Sequence, residues 1–336
     1  MNNTTSSIPP QQWRKKSVLD VKINETAFAL FRRIQSRPFE TGLNFLDLTA
    51  GGQRRQKGLL PGDVVELYGL SGTGKTEVLM NAVVQFSLSK KAGGFQRTSV
   101  FFDHDYRLNI NRLEILAREK IKTCAAFKAR MMGDPVNPAY HETSSFTQSK
   151  GSLQTDDNLI LQAHVMDCLS RIKVIRSNNN LETAAYLDVL HHQLQGSGPV
   201  LVAIDNLGSF YWKDKLTESC ASKALTLEIA LMRGLTRLLK ERAVIILAAK
   251  PALMPMKSPI EHKEFMPPSW QRMVTCRLTL LKEEQHSGSY ATQMSSCTMV
   301  HVKSISNLNE SGADQSDQHR QMAAFIINDA GISDLK

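Results

Sequence analysis

The chain has 336 residues, of which 42% are hydrophobic and 22% charged, and its net charge is +9. That length is enough to bury a core, as one large domain or two modest ones. The balance is that of a soluble globular protein, and no apolar run approaches the ~20 residues a membrane-spanning helix needs, so a membrane protein is not expected. The charge is uneven, with ten Lys/Arg against four Asp/Glu in residues 1–60, which points to nucleic acid or an acidic partner, or simply to a solvated basic surface.

Residues 1–10 have neither the apolar centre of a secretory signal nor the arginine-rich pattern of a transit peptide, so a cytosolic or nuclear protein is expected. Five cysteines (Cys124, Cys168, Cys220, Cys276 and Cys297) stand singly, with no CxxC pair and no metal-ligand spacing. They read as reduced structural thiols.

In chain order, residues 1–40 form a basic N-terminal arm, polar and disordered over about 1–20, with a short helix over 27–33. From Gly62 onward strand-like and helix-like segments alternate, the signature of an α/β fold on a mostly parallel sheet. Apolar runs at 64–68, 100–102, 199–204 and 244–248 have the form of buried strands. Leu79, Ala82, Val83 and Phe86 repeat at helical spacing, as do Leu231, Met232, Leu235, Leu238 and Leu239. Beyond Arg277 the runs at 277–281, 298–303 and 324–327 predict strands added at the C-terminal edge of the sheet. Polar stretches at 131–157 and 304–320 predict long surface loops. No internal repeat is visible, and one core over 41–336 fits better than two domains.

Gly69, Leu70, Ser71, Gly72, Thr73, Gly74, Lys75 and Thr76 match GxxxxGK[ST], with a strand before and an amphipathic helix after. Glycines let backbone N–H groups wrap phosphates, Lys75 can reach the β and γ oxygens, and the Thr76 hydroxyl can bind Mg²⁺. The pattern therefore predicts ATP with Mg²⁺ as the cofactors; the alternative is a loop that keeps only its packing role. Apolar residues 201–204 end in Asp205, the form of a segment whose carboxylate holds Mg²⁺, although a strand-ending turn residue reads the same way. The 100–102 strand leads into Asp103, His104, Asp105 and Tyr106, at the strand edge where open α/β sheets bind ligands. Asp105 could orient the water that attacks the γ-phosphate, or Asp103 or Asp105 could cap the next helix. Phe210, Tyr211 and Trp212 with Lys213 and Lys215 could stack on the bases of a single strand, but packing against a neighbouring subunit suits such a cluster better. His191, His192 and His164 read as helix-end or surface residues.

Taken in order, these pieces resemble the RecA-like recombinases of eukaryotes, and among them the recombinase paralogues, over residues 41–334. Thr41 and Gly42 with Leu46, Asp47, Gly51 and Gly52 resemble the segment before the P-loop. More particular signals are Gly74 to Glu77, Asp103 with Asp105 and Tyr106, Cys168 and Leu169 with Arg171, Asp205 followed by Phe210 to Trp212, Trp270 with Gln271, and Phe325 to Ile327 with Gly331. The resemblance implies a RecA-like P-loop NTPase core in the nucleus. It also implies membership in a complex of recombinase paralogues, beside the paralogue known as D, that assists the strand-exchange filament on single-stranded or branched DNA during homologous recombination. No helix-hairpin DNA-binding domain is read ahead of the core, which agrees with a reduced, terminal subunit.

Two departures bear on mechanism. Strand-exchange enzymes of the family place glutamate where Asp105 stands, and the shorter side chain holds the water less well, so hydrolysis is expected to be slow. Where the family couples the γ-phosphate to DNA loops through glutamine, residues 248–251 read Ala, Ala, Lys, Pro; Pro251 offers no donor, though Lys250 could contact phosphate instead. Three readings follow: a structural adaptor, a weak DNA-dependent ATPase, and a small-molecule kinase, for which no arginine-rich lid is visible.

Overall fold

Strands that lie in the middle of a sheet covered on both faces must be apolar throughout, and the runs read from the sequence take those positions. The computed structural model describes residues 27, 37–49, 57–124, 150–216, 221–253, 264–284, 296–304 and 322–335. Most of the basic arm, the expected 27–33 helix beyond Ala27, Gly51, Gly52 and residues 131–149 and 305–320 lie outside the described residues.

The elements follow as α1 (Asn44–Thr49), β1 (Val64–Gly69), α2 (Lys75–Ser87), β2 (Ser99–Asp103), α3 (Ile110–Thr123), α4 (Lys150–Ser170), β3 (Ile172–Ile175), α5 (Asn180–Gln193) and β4 (Val200–Asp205). After them come α6 (Tyr211–Leu216), α7 (Ala221–Glu241), β5 (Val244–Pro251), α8 (Pro268–Met273), β6 (Cys276–Glu284), β7 (Ser296–Ser304), β8 (Met322–Asn328) and β9 (Gly331–Leu335). They build one nine-stranded sheet of order β3-β2-β4-β5-β1-β6-β7-β8-β9. The six strands from β3 to β6 run parallel, and β7, β8 and β9 are antiparallel. The α/β class with antiparallel strands at the C-terminal edge is therefore as expected from the sequence. Three details differ. The run at 277–281 belongs to a parallel strand beside β1. The chain after Gly331 adds a strand of its own. And α4 begins at Lys150, so residues 150–157 of the expected loop are helical.

Alternating residues of the central strands feed two separate cores. Val65, Leu67, Phe101, Leu201 and Leu247 join α2, α3 and α4 on one face. Val64, Val100, Phe102, Val202 and Ile246 join α5, α7 and α8 on the other. Helix starts are set by asparagine caps: Asn109 accepts from Arg112 N ahead of α3, and Asn179 accepts from Glu182 N ahead of α5. Ten of the thirteen residues of α2 are buried, more than one amphipathic face requires, because it is covered by the sheet, by α3 and α4, and by the returning β8–β9 hairpin. No helix among the described residues is long and apolar enough to cross a membrane.

Candidate nucleotide site

The site lies at the carboxyl edge of β1, β2 and β4. Residues 69–74 leave β1 and turn into α2, with Gly74 at the helix N-terminus at φ +86°, a left-handed conformation that side chains disfavour. The loop therefore presents backbone N–H groups at the positive end of a helix. Thr73 Oγ1 donates to Leu70 O at 2.9 Å, and Lys75 Nζ donates to Gly69 O at 2.8 Å and Leu70 O at 2.6 Å. Burial lowers the Lys75 pKa to about 8, against the opposing pull of Asp205. Its ammonium is thus a poorly solvated cation at the loop, held by the Gly69 and Leu70 carbonyls.

Thr76 Oγ1 donates to Asp205 Oδ2 at 2.8 Å, although β5 separates β1 from β4 in the sheet. Burial raises the Asp205 pKa, with the nearby carboxylates of Asp105 and Asp103 adding to it and the Thr76 bond and Lys75 opposing it. Neighbouring ligands of an octahedral Mg²⁺ at its usual bond length stand about 2.9 Å apart. Thr76 and Asp205 are therefore the residues that could hold a Mg²⁺ ion here, where it would neutralise phosphate charge.

Asp105 is exposed beside them. Its Oδ1 accepts from Ser209 Oγ at 2.5 Å and its Oδ2 from Asn206 Nδ2 at 3.5 Å. Asp103 is turned inward: Oδ1 accepts from Arg107 N and Leu108 N, and Oδ2 from Arg176 Nε at 3.0 Å. Neither aspartate caps α3, since Asn109 does so. His104 is buried, Nδ1 to Asn206 O at 2.9 Å, and desolvation lowers its pKa despite that bond. Phe210 packs against the His104 ring at 5.1 Å and Tyr211 against Phe265 at 4.7 Å, so these two aromatics pack within the fold. Of the histidines read as helix-end or surface residues, His191 is buried and bonds Glu241 Oε2 through Nε2 at 2.7 Å.

Lys250 does not face the phosphate side. It is fully buried, bonded to Glu264 Oε1 at 2.7 Å and 3.3 Å from Glu66 Oε1. Arg277 Nε bonds Glu66 Oε1 at 2.6 Å and Nη2 bonds Glu264 Oε2 at 3.1 Å, and Trp270 Nε1 donates to Glu66 Oε2 at 2.6 Å. The suggested phosphate contact gives way to a buried network of two acids and two bases directly under the P-loop strand. Its only trace in the sequence is Glu66 and Lys250 standing inside otherwise apolar strands. A second unread link is Arg112, whose Nε donates to Glu77 Oε1 at 2.9 Å in the first turn of α2; nothing in the spacing of the two residues announces it.

No family model matches the chain. It is 25% identical to the DNA repair protein XRCC2 homolog of Arabidopsis thaliana over 68% of this chain and 71% of that protein. It is 24% identical to DNA repair protein XRCC2 of Mus musculus over 68% and 75%. The similarity to DNA repair protein RAD57 of Saccharomyces cerevisiae, 26% identity, covers 40% of this chain and 25% of that protein. These relatives, with the parallel sheet and the P-loop motif at its carboxyl edge, make the chain similar to the RecA-like recombinase paralogues, DNA repair protein XRCC2 among them.

Proposed function

We propose that the chain is a nuclear recombinase-paralogue subunit in DNA repair by homologous recombination, which binds Mg-ATP and assists the strand-exchange filament. The 2.8 Å pairing of Thr76 with Asp205 carries this reading, because it joins a P-loop to a carboxylate from a non-adjacent strand at the spacing of one metal shell. In this reading residues 69–76 wrap the phosphates, Lys75 meets the β and γ oxygens, and bound Mg²⁺ neutralises charge on them. Asp105 orients the attacking water, and hydrolysis is slow because its carboxylate is short and already engaged by Ser209. Single-stranded or branched DNA and other paralogues, the one known as D foremost, are the implied partners.

The second reading is a structural adaptor with a weak or inactive ATP site. It is favoured by Lys250, which is fixed in an internal ion network where the family would sense phosphate. Mg-ATP binding and turnover by the purified chain, with and without single-stranded DNA and beside Lys75→Ala, separates the two. DNA-stimulated turnover that disappears in the variant supports a working ATPase; binding without turnover supports the adaptor; no binding at all also supports the adaptor and refutes a nucleotide site in the purified chain.

A further inference from the structure

We infer that the C-terminal β8–β9 hairpin is a structural wall of the nucleotide site, and that Arg112 is the positioning residue that fastens it to the P-loop helix. The inference rests on the proposed nucleotide site. In the sheet, β8 lies three strands from β1, about 14 Å away if the sheet were flat. Yet a Cβ on Gly74 would stand 2.6 Å from Ile327 Cδ1 and 3.3 Å from Phe325 Cε2, so the coiled edge brings β8 back onto the last glycine of the P-loop.

One guanidinium ties the two together. Arg112 donates through Nη1 to Asp329 O at 2.6 Å in the hairpin turn and through Nη2 to Asn328 O at 2.7 Å at the end of β8. Its Nε and Nη2 also donate to Glu77 Oε1, two residues after Lys75. The planar fork of arginine spans a carboxylate on one side and two carbonyls on the other, which the single ammonium of lysine does not. The far side of the hairpin is anchored too. Phe325 stacks on Phe45 with centroids 5.2 Å apart, Asp334 Oδ2 accepts from Asn44 N at 3.1 Å and Nδ2 at 2.8 Å, and Gly331 closes the turn against Leu116. A hairpin fixed at both ends holds Gly74 in its left-handed conformation, and with it the direction of the N–H groups that would face phosphate.

An ion pair serving only stability would need charge complementarity alone; this role also needs donors to the carbonyls of residues 328 and 329. Mg-ATP affinity and amide exchange of residues 76–80 in nucleotide-free protein are therefore measured for wild type, Arg112→Gln, Ile327→Ala and the exchanged pair Glu77→Arg/Arg112→Glu. Arg112→Gln is expected to weaken Mg-ATP about tenfold, the scale of one link in a packed network, and to speed exchange at 76–80 while 200–205 and 244–251 stay protected. The exchanged pair keeps opposite charges but loses the carbonyl donors, and is expected to rescue neither readout. Ile327→Ala leaves the ion pair intact and shifts both readouts in the same direction, which keeps the test decisive should Arg112→Gln not fold. Unchanged exchange, unchanged affinity in a wild type that binds Mg-ATP, or rescue by the exchanged pair overturns the inference. A wild type that binds no Mg-ATP refutes the nucleotide reading instead, and amide exchange still decides whether Arg112 braces α2.

Discussion

Glu66→Gln should destabilise the protein more than its conservative chemistry suggests. Glu66 is fully buried and accepts from Arg277 and Trp270 at 2.6 Å while facing Lys250 at 3.3 Å. The substitution keeps the shape and an acceptor for Trp270, but it leaves Lys250 and Arg277 with one carboxylate, Glu264, among the described residues. Removing one partner of a buried ion pair costs about 3–5 kcal/mol, because the remaining charge stays desolvated. With an unfolding entropy of about 2 cal/mol/K per residue, a chain of this size should lose about 4–7 °C in Tm. Adding Lys250→Met leaves one base and one acid and should restore most of the loss, since charge balance rather than ion pairing as such is what the buried site requires. Urea unfolding of wild type, single and double variants measures both steps. A loss below about 1 kcal/mol in Glu66→Gln, the range of an exposed pair, or a double variant no better than the single, would refute the reasoning.

Two further outcomes follow from the P-loop. Lys75 has its pKa lowered to about 8 by burial, and phosphate oxygens would raise it, so binding takes up a proton above pH 8; Mg-ATP affinity should hold below pH 8 and fall by up to about tenfold per unit above it, and titration calorimetry that finds no fall between pH 8 and 9.5 refutes the coupling of a buried, pKa-lowered Lys75 to phosphate binding. Gly74→Ala combines φ +86° with a Cβ 2.6 Å from Ile327 Cδ1, and left-handed strain alone costs about 1–2 kcal/mol, about 1.5–3 °C in Tm; thermal unfolding should show a larger loss, and a Tm within one degree of wild type would refute both the strain and the clash.

The P-loop, Asp205 and the buried strands were legible in the sequence because each is a local pattern: a run of apolar residues, a glycine spacing, an acid at a strand end. Such patterns depend only on backbone geometry and on which residues a short segment must hide, so the chain writes them within ten or so positions. Helices α4 and α5 and the short β3 carry weaker marks, since α5 and α4 mix polar and apolar residues round their circumference. Partnership was not legible at all. That Lys250 turns inward to Glu66 and Glu264, that Asp103 serves the fold while Asp105 faces the site, and that Arg112 reaches the 328–329 turn are decided by the register of parallel strands and by the coil of the sheet's edge. By itself the sequence determined most of the strands, the glycine-rich loop with the P-loop pattern and the strand that ends in Asp205. Only the tertiary structure decided which charges pair in the interior and which face solvent, because a charge is drawn to whatever opposite charge folding brings within a few ångströms, and that neighbour can lie hundreds of residues away in the chain.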